Sequence, residues 1–262
     1  MTEIRDIIVY GNEIVSLVEN IPVDEAAAIS VFADAADLGF AIDEDSLQRV
    51  EKASETARFE SVDVSLARDS LQRIIMSDSP KLIMKMYKRG VLKWFLPEMD
   101  ICFRTEQNNP HHKYNVGVHT VRALMSLKRS SDKERNAVAR FSTFFHDIGK
   151  PVVKTTNDEG IDRFIGHPEK SAEITRAVME RFGFEEQFIK KVCAVVKFHE
   201  FQIRQTVPGI RKAMEQMDGD MFPILFDLRE ADILAQSGYQ NKEKWRILSK
   251  YRNLYEKAMT EG

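Results

Sequence analysis

Cysteine is scarce in this 262-residue chain: Cys102 and Cys193 are the only two, far apart, each among apolar residues and neither in a CxxC pair. They read as reduced core thiols of a cytoplasmic protein rather than as a disulfide framework. Long apolar runs are missing as well. None approaches the roughly 20 residues that a membrane span needs, so no membrane partner is expected. Nor is there an excess of basic charge. A formal net charge of −3 argues against wrapping long nucleic acid by bulk electrostatics, whereas a small anionic substrate is easily accommodated. The first twenty residues, MTEIRDIIVYGNEIVSLVEN, lack the basic start and pure apolar core of a leader peptide, and none is expected.

What the chain has instead is helical periodicity. Apolar residues recur at three and four in nearly every long segment, which predicts an all-α protein. Ile4, Ile7, Ile8, Ile14, Val15 and Val18 form one such stripe and predict an N-terminal helix. DEDSLQRVEKA opens with carboxylates and serine as helix starts do, and SVDVSLARDSLQRIIM runs until SDSP stops it. PKLIMKMYKRGVLKWFLPEM reads as a helix, a break at Gly90 and a short apolar segment ended by Pro97. The exception lies near 152–166, where Asn157 to Gly160 predict the turn of one small hairpin or loop. KEKWRILSKYRNLYEKAM is a charged amphipathic helix with Trp245, Leu248 and Tyr255 on one side, suited to packing on its own domain or to forming a homodimer. Residues 1–105 are expected to form one helical region, 106–240 a second domain, and 241–262 this last helix.

All six histidines lie after residue 110, and several fall on apolar stripes. His199 follows Val192, Val195 and Val196 at seven, four and three residues, and His119 aligns with Ala123 and Leu127. Asp232 sits four residues after Leu228 and three before Ala235, on an inward face. His146 and Asp147 are adjacent, about 100° apart around a helix, so both can reach one ion between them. His167 precedes Pro168 at an expected helix start. Taken singly, each has a plain alternative: a hydrogen-bonded core histidine, or for Asp232 an ion pair with Arg229 or Arg211. His111 and His112 have the alternative of an exposed loop. Together, six inward polar groups from five segments are hard to satisfy separately, and a bound cation compensates them best.

The order His119, His146-Asp147, His167, His199, Asp232 resembles the HD superfamily of metal-dependent phosphohydrolases. NNPHHKYNVGVHT, FHDIGKP, GHPEKSAEI and LREADILAQ further resemble the HD domain of bacterial tRNA nucleotidyltransferases (CCA-adding enzymes) and related poly(A) polymerases. Upstream, DLGFAIDEDSLQRVEKASE and RIIMSDSPKLIMKMYKRGVLKWFLPEM are similar to that family's neck and body helices, so the likeness runs from about residue 24 to about 240. It implies an HD helical bundle preceded by a neck/body-like region. The family's catalytic head would precede the neck; here the preceding residues read as helical, and the head is not expected. The neck positions where the family sets nucleotide-binding arginines fall on Ala27, Ser30, Ala33 and Asp37, so charge-assisted triphosphate contacts are lost and nucleotide addition is not expected.

The resemblance implies that His119, His146, Asp147, His167, His199 and Asp232 ligate one or two divalent ions (Mn, Fe, Ni, Co, Zn or Mg), with Asp147 bridging if there are two. The implied activity is a phosphomonoesterase or phosphodiesterase acting through metal-activated hydroxide on nucleotides or RNA-end phosphates, including 2′,3′-cyclic phosphates. Lys150 is expected to contact a phosphate oxygen or, alternatively, to cap a helix C-terminus. His111 is expected to donate a proton to the leaving group or to bind substrate, with His112 and Arg122 as further substrate contacts, Arg122 having the alternative of a solvated side chain. The competing function is a tRNA- or RNA-binding module derived from a CCA-adding enzyme, with a structural or vestigial metal site.

Overall fold

A computed structural model describes residues 7–10, 13–110, 113–217, 221–238 and 241–261. Two compact units are present: residues 1–101 with Arg181–Phe184, and residues 102–180 with 185–262. Helices dominate both, as the periodicity predicts, and among the described residues none is long and apolar enough to cross a membrane.

The first unit departs from expectation at its start. The stripe read as an N-terminal helix is a hairpin, β1 (Ile7–Tyr10) antiparallel to β2 (Ile14–Leu17), with β3 (Ala41–Ile42) parallel to β2; Ile4 lies outside the described residues. Helix α1 (Glu25–Leu38) begins where the Asp24 side chain accepts the Ala27 N–H and ends at Gly39 in the left-handed region, φ 70°. Its small residues Ala28, Ala33, Ala35 and Ala36 are buried, which lets it lie close to α3 (Val64–Met76). Of the neck positions singled out above, Ala33 is core, and Asp37 ion-pairs with Arg73 of α3 at 2.8 Å, as Asp34 also does. α2 (Glu44–Ser54) is capped by Asp43. A single 3₁₀ turn (Phe59–Ser61) precedes α3, and the break at Gly90, φ 74°, separates α4 (Leu82–Lys88) from α5 (Val91–Phe95). Pro97 does not merely end that segment. It opens α6 (Pro97–Arg104), where a missing N–H costs nothing.

The second unit runs α7 (Val116–Ser126), α8 (Lys133–Phe145), α9 (Lys150–Val153), the two-stranded ribbon β4 (Thr155–Thr156) and β5 (Asp162–Arg163), then α10 (His167–Arg181), α11 (Glu186–Phe198), α12 (Val207–Gln216), α13 (Phe222–Ala235) and α14 (Asn241–Thr260). The ribbon is the hairpin expected near 152–166. α7, α8, α11 and α13 pack together around Val121, Leu124, Phe141, Phe144, Phe145, Val192, Val196 and Leu225. α14 packs on α12 and α13, burying Leu248, Tyr251 and Ala258, while Tyr255 stacks on Phe222 at 5.8 Å. Both cysteines are free thiols, Cys102 buried and Cys193 half-buried.

Candidate metal centre

Five helices deliver the polar cluster because each ends or turns at a specific place. Asn115 caps α7 through the Val118 N–H at 2.8 Å, and Gly117 lets the first turn lie flat on Phe103, where a Cβ would come within 2.4 Å of the ring. His119 is the next inward residue of that turn. α8 is anchored by Phe141, Phe144 and Phe145, all buried, and stops at once, so His146 and Asp147 occupy the turn that follows. His167 opens α10, His199 closes α11 and Asp232 lies on α13.

These six residues converge. His119 Nε2 is 2.9 Å from Asp232 Oδ1 and 3.5 Å from Asp147 Oδ2; His146 Nε2 is 3.3 Å from Asp147 Oδ2 and 3.7 Å from Asp232 Oδ1. The other oxygen of Asp147, Oδ1, faces His167 Nε2 at 3.2 Å and His199 Nε2 at 3.8 Å. Asp147 thus stands between two half-sites. His119, His146 and Asp147 form one group, and Asp147, His167 and His199 another, each with donor atoms within 4.8 Å of one another and all buried.

Hydrogen bonding sets the direction of the rings. Nδ1 of His146, His167 and His199 faces the carbonyl oxygens of Thr143, Phe164 and Val196 at 2.8, 2.8 and 2.7 Å. A carbonyl only accepts, so each Nδ1 carries a hydrogen and, in the neutral ring, each Nε2 presents a lone pair inward. His146 Nε2 is buried without a hydrogen-bond partner, and the Nε2 atoms of His167 and His199 meet at 3.1 Å. Two lone pairs facing at that distance repel unless a metal ion or a proton lies between them. The donor set therefore fits a divalent metal, and nitrogen with carboxylate oxygen suits several first-row ions without selecting one.

Charge balance points the same way. Burial pushes the His146 imidazole down, but the Asp147 and Asp232 carboxylates outweigh it and raise its pKa to about 10. Burial raises Asp147 and Asp232, yet His146 and Lys150 for the first, and His119 and His146 for the second, hold both well below the ordinary carboxylate range. His199 is pushed well below its usual value by burial and by His146 and His167. Both carboxylates are thus held ionised, the form in which they ligate a cation.

Lys150 is buried and opens α9 rather than capping a helix C-terminus. Its ammonium lies 2.7 Å from Asp147 Oδ2 and 3.0 Å from Gln107 Oε1, above the Phe164 ring. Arg122 is exposed, its guanidinium stacked 4.5 Å over Tyr114. His111 and His112 lie outside the described residues. The ion pairs weighed for Asp232 do not form: Arg229 donates to the carbonyls of His199, Phe198 and Phe201 at 2.7, 3.1 and 2.6 Å, and Arg211 to that of Ala258. Arg229, whose pKa burial lowers to about 10, thus closes the end of α11 and fixes His199.

Sequence reasoning passed over Gln236 and Lys244. Gln236 donates to Asp232 Oδ2 at 2.6 Å, the oxygen turned away from His119, and accepts from Lys244. Neither residue interrupts an apolar stripe, the signal that marks His119, His199 and Asp232. An open cleft of about 270 Å³ beside the cluster is lined by His199, Glu200, Phe201, Arg229, Asp232 and Lys244.

The profile of the HD domain matches residues 111–244, a little over half of the chain. The chain belongs to the HD domain family. All six clustered residues fall inside the HD domain. The wider likeness also holds. The chain is 29% identical to the CC-adding tRNA nucleotidyltransferase of Thermus thermophilus over 71% of its own length and 43% of the relative's. It is 28% identical to a multifunctional CCA protein of Pseudomonas fluorescens over 63% and 39%, and 25% identical to that of Acinetobacter baylyi over 78% and 50%. The chain therefore spans half or less of these relatives.

Proposed function

We propose that the HD domain is a metal-dependent phosphohydrolase, a phosphomonoesterase or phosphodiesterase of nucleotides or RNA-end phosphates such as 2′,3′-cyclic phosphates. The observation that carries this is the placement of Asp147, with one carboxylate oxygen toward His119 and His146 and the other toward His167 and His199. His119, His146, Asp232 and Asp147 would hold one divalent ion, and Asp147, His167 and His199 a second. Ions bound there supply Lewis acidity toward a phosphoryl oxygen and a nucleophile generated from water near neutral pH. The protein's own part is orientation. The three Nδ1 hydrogen bonds aim the imidazoles, and Lys150 positions Asp147 through Oδ2 while adding positive charge beside the reacting phosphate.

His111 is assigned to protonate the leaving alkoxide, and His112 and Arg122 to contact substrate. RNA-end substrates are favoured by the likeness to a tRNA nucleotidyltransferase. A cytoplasmic location is in keeping with free thiols and with tRNA-processing relatives.

The test is hydrolysis of an aryl phosphomonoester, an aryl phosphodiester and 2′,3′-cyclic AMP across added divalent ions, with wild type and a His146→Ala, Asp147→Ala double variant. Chelator-sensitive turnover that the double variant lacks is expected. Turnover surviving in the double variant would sink the metal-centre mechanism, and a protein inert with every ion and ester would favour an RNA-binding module instead.

A further inference from the structure

The cleft beside the cluster has walls of unlike character. Its lining includes the buried Leu248 and Tyr251 of α14, the latter held by a hydrogen bond from its hydroxyl to the Ile203 carbonyl at 2.9 Å. Phe201, 39% exposed and with its ring against Phe198 at 5.1 Å, also lines it, as does Ile247. At the inner end are His199 and Asp232 of the metal centre, and near them Lys244.

Two cations line this cleft, and their situations differ. Arg229 gives its Nε and one terminal nitrogen to three backbone carbonyls, which fix it in the wall of the cleft. Lys244 is half-buried and donates to the side-chain oxygen of Gln236, whose amide in turn holds Asp232. An ammonium has three donors, so Lys244 can keep Gln236 and still bind an anion.

We propose that this cleft is the substrate pocket and takes one nucleotide unit, with Lys244 on its phosphate and Phe201 stacked on its base. The inference rests on the phosphohydrolase reading for which phosphate is cleaved, but the pocket is testable alone. Its size, about 270 Å³ and so just under the roughly 300–1,000 Å³ of small-molecule sites, leaves room for no more than a single nucleotide and excludes a duplex. An exposed aromatic ring is the usual platform for an unpaired base, indifferent to which base it is. Glu200 and Gln202, also in the lining, offer hydrogen-bonding groups for sugar hydroxyls. α14 is thereby part of the site and not only a covering helix.

The experiment is calorimetric titration of the full chain, in chelator so that nothing turns over, with adenosine 5′-monophosphate and with inorganic phosphate. Wild type is expected to bind the nucleotide about tenfold more tightly than phosphate, reflecting the stacked base. Lys244→Ala should weaken both ligands about tenfold or more, Lys244→Arg should restore most of the loss, and Phe201→Ala should weaken the nucleotide about tenfold without weakening phosphate. Circular dichroism melting identifies any variant that has lost its fold. Nucleotide binding no tighter than phosphate, or equal in Lys244→Ala and wild type, overturns the pocket, as does no binding at all. Hydrolysis without these binding differences would leave the phosphohydrolase standing and remove the pocket; these differences without hydrolysis would do the reverse.

Discussion

His167 and His199 approach each other through Nε2 at 3.1 Å while the Nδ1 of each is turned to a backbone carbonyl three residues earlier. Neither ring can relieve the facing lone pairs by changing tautomer without giving up a buried hydrogen bond. A cation relieves them at no such cost. Divalent metal should therefore stabilise the fold: at about a hundred times its dissociation constant the gain is about 2.7 kcal/mol, or about 5–10 °C for a chain of this size. Scanning fluorimetry with manganese against chelator measures it. His199→Gln, which keeps a polar group but removes one nitrogen, should lower bound metal to about one equivalent by elemental analysis. Two equivalents in that variant would refute the assignment of a second half-site.

Arg229 predicts an effect at a distance. It satisfies three carbonyls at and just past the end of α11, among them that of His199 itself. Arg229→Met leaves those oxygens short of donors, and a loss of about 1–3 kcal/mol is expected in urea unfolding. Because the same bonds hold His199, metal retention on the His167–His199 side should fall in parallel, while Arg229→Lys, with fewer donors, should recover only part. Lost stability with fully retained metal would separate the two roles.

How far the sequence alone revealed this centre follows from what kind of signal each residue leaves. His119, His199 and Asp232 announce themselves because a polar side chain interrupts an apolar stripe of period 3.6, and the stripe alone says it points inward. Their convergence is tertiary, and only the resemblance of HDIGK and its companions supplied it. Arg229, Gln236 and Lys244 leave no such mark, since charged and amide residues at the polar edge of a helix look solvated until another helix is packed over them. The N-terminal stripe failed for another reason. Ile7, Ile8 and Val9, and Ile14 and Val15, satisfy both periods, and the deciding clues, β-branched runs either side of Gly11-Asn12 and pairing with Ala41–Ile42, were a turn composition and a contact across the fold.

Gly149, within HDIGK, is required for space and not for conformation. Its φ of −82° suits any residue, but a Cβ would lie 2.4 Å from Ser171 N and 2.8 Å from Lys170 C, backbone atoms of α10 that cannot step aside without moving His167. Its N–H also donates to Ser171 Oγ at 2.9 Å. Gly149→Ala should therefore cost about 1–3 kcal/mol by overpacking. Gly166 has open space around it but a φ of +80°, so Gly166→Ala should cost about 1 kcal/mol through backbone strain alone. Thermal melts of the two variants, with metal content measured alongside, distinguish the mechanisms: metal loss belongs to Gly149→Ala. Equal metal content in both would show that α10 absorbs the added methyl without displacing His167.

In the first unit, Glu98 and Arg181 form a two-pronged ion pair at 2.6 and 2.9 Å, and both side chains are about a quarter to a third exposed. Burial raises the Glu98 carboxyl, but Arg181 outweighs it and holds the pKa below the usual 4.5. A carboxylate whose folded pKa is depressed contributes stability that is complete above its unfolded value and disappears as pH falls through the folded one. Solvent screening keeps the contribution to about 1–2 kcal/mol. Glu98→Gln should accordingly lower urea stability by that amount at pH 7, and the gap should shrink below pH 4.5 and close as pH falls through the depressed folded pKa. A gap that stayed constant from pH 7 to pH 3 would mean that the side chain acts through packing of its methylenes and not through its charge.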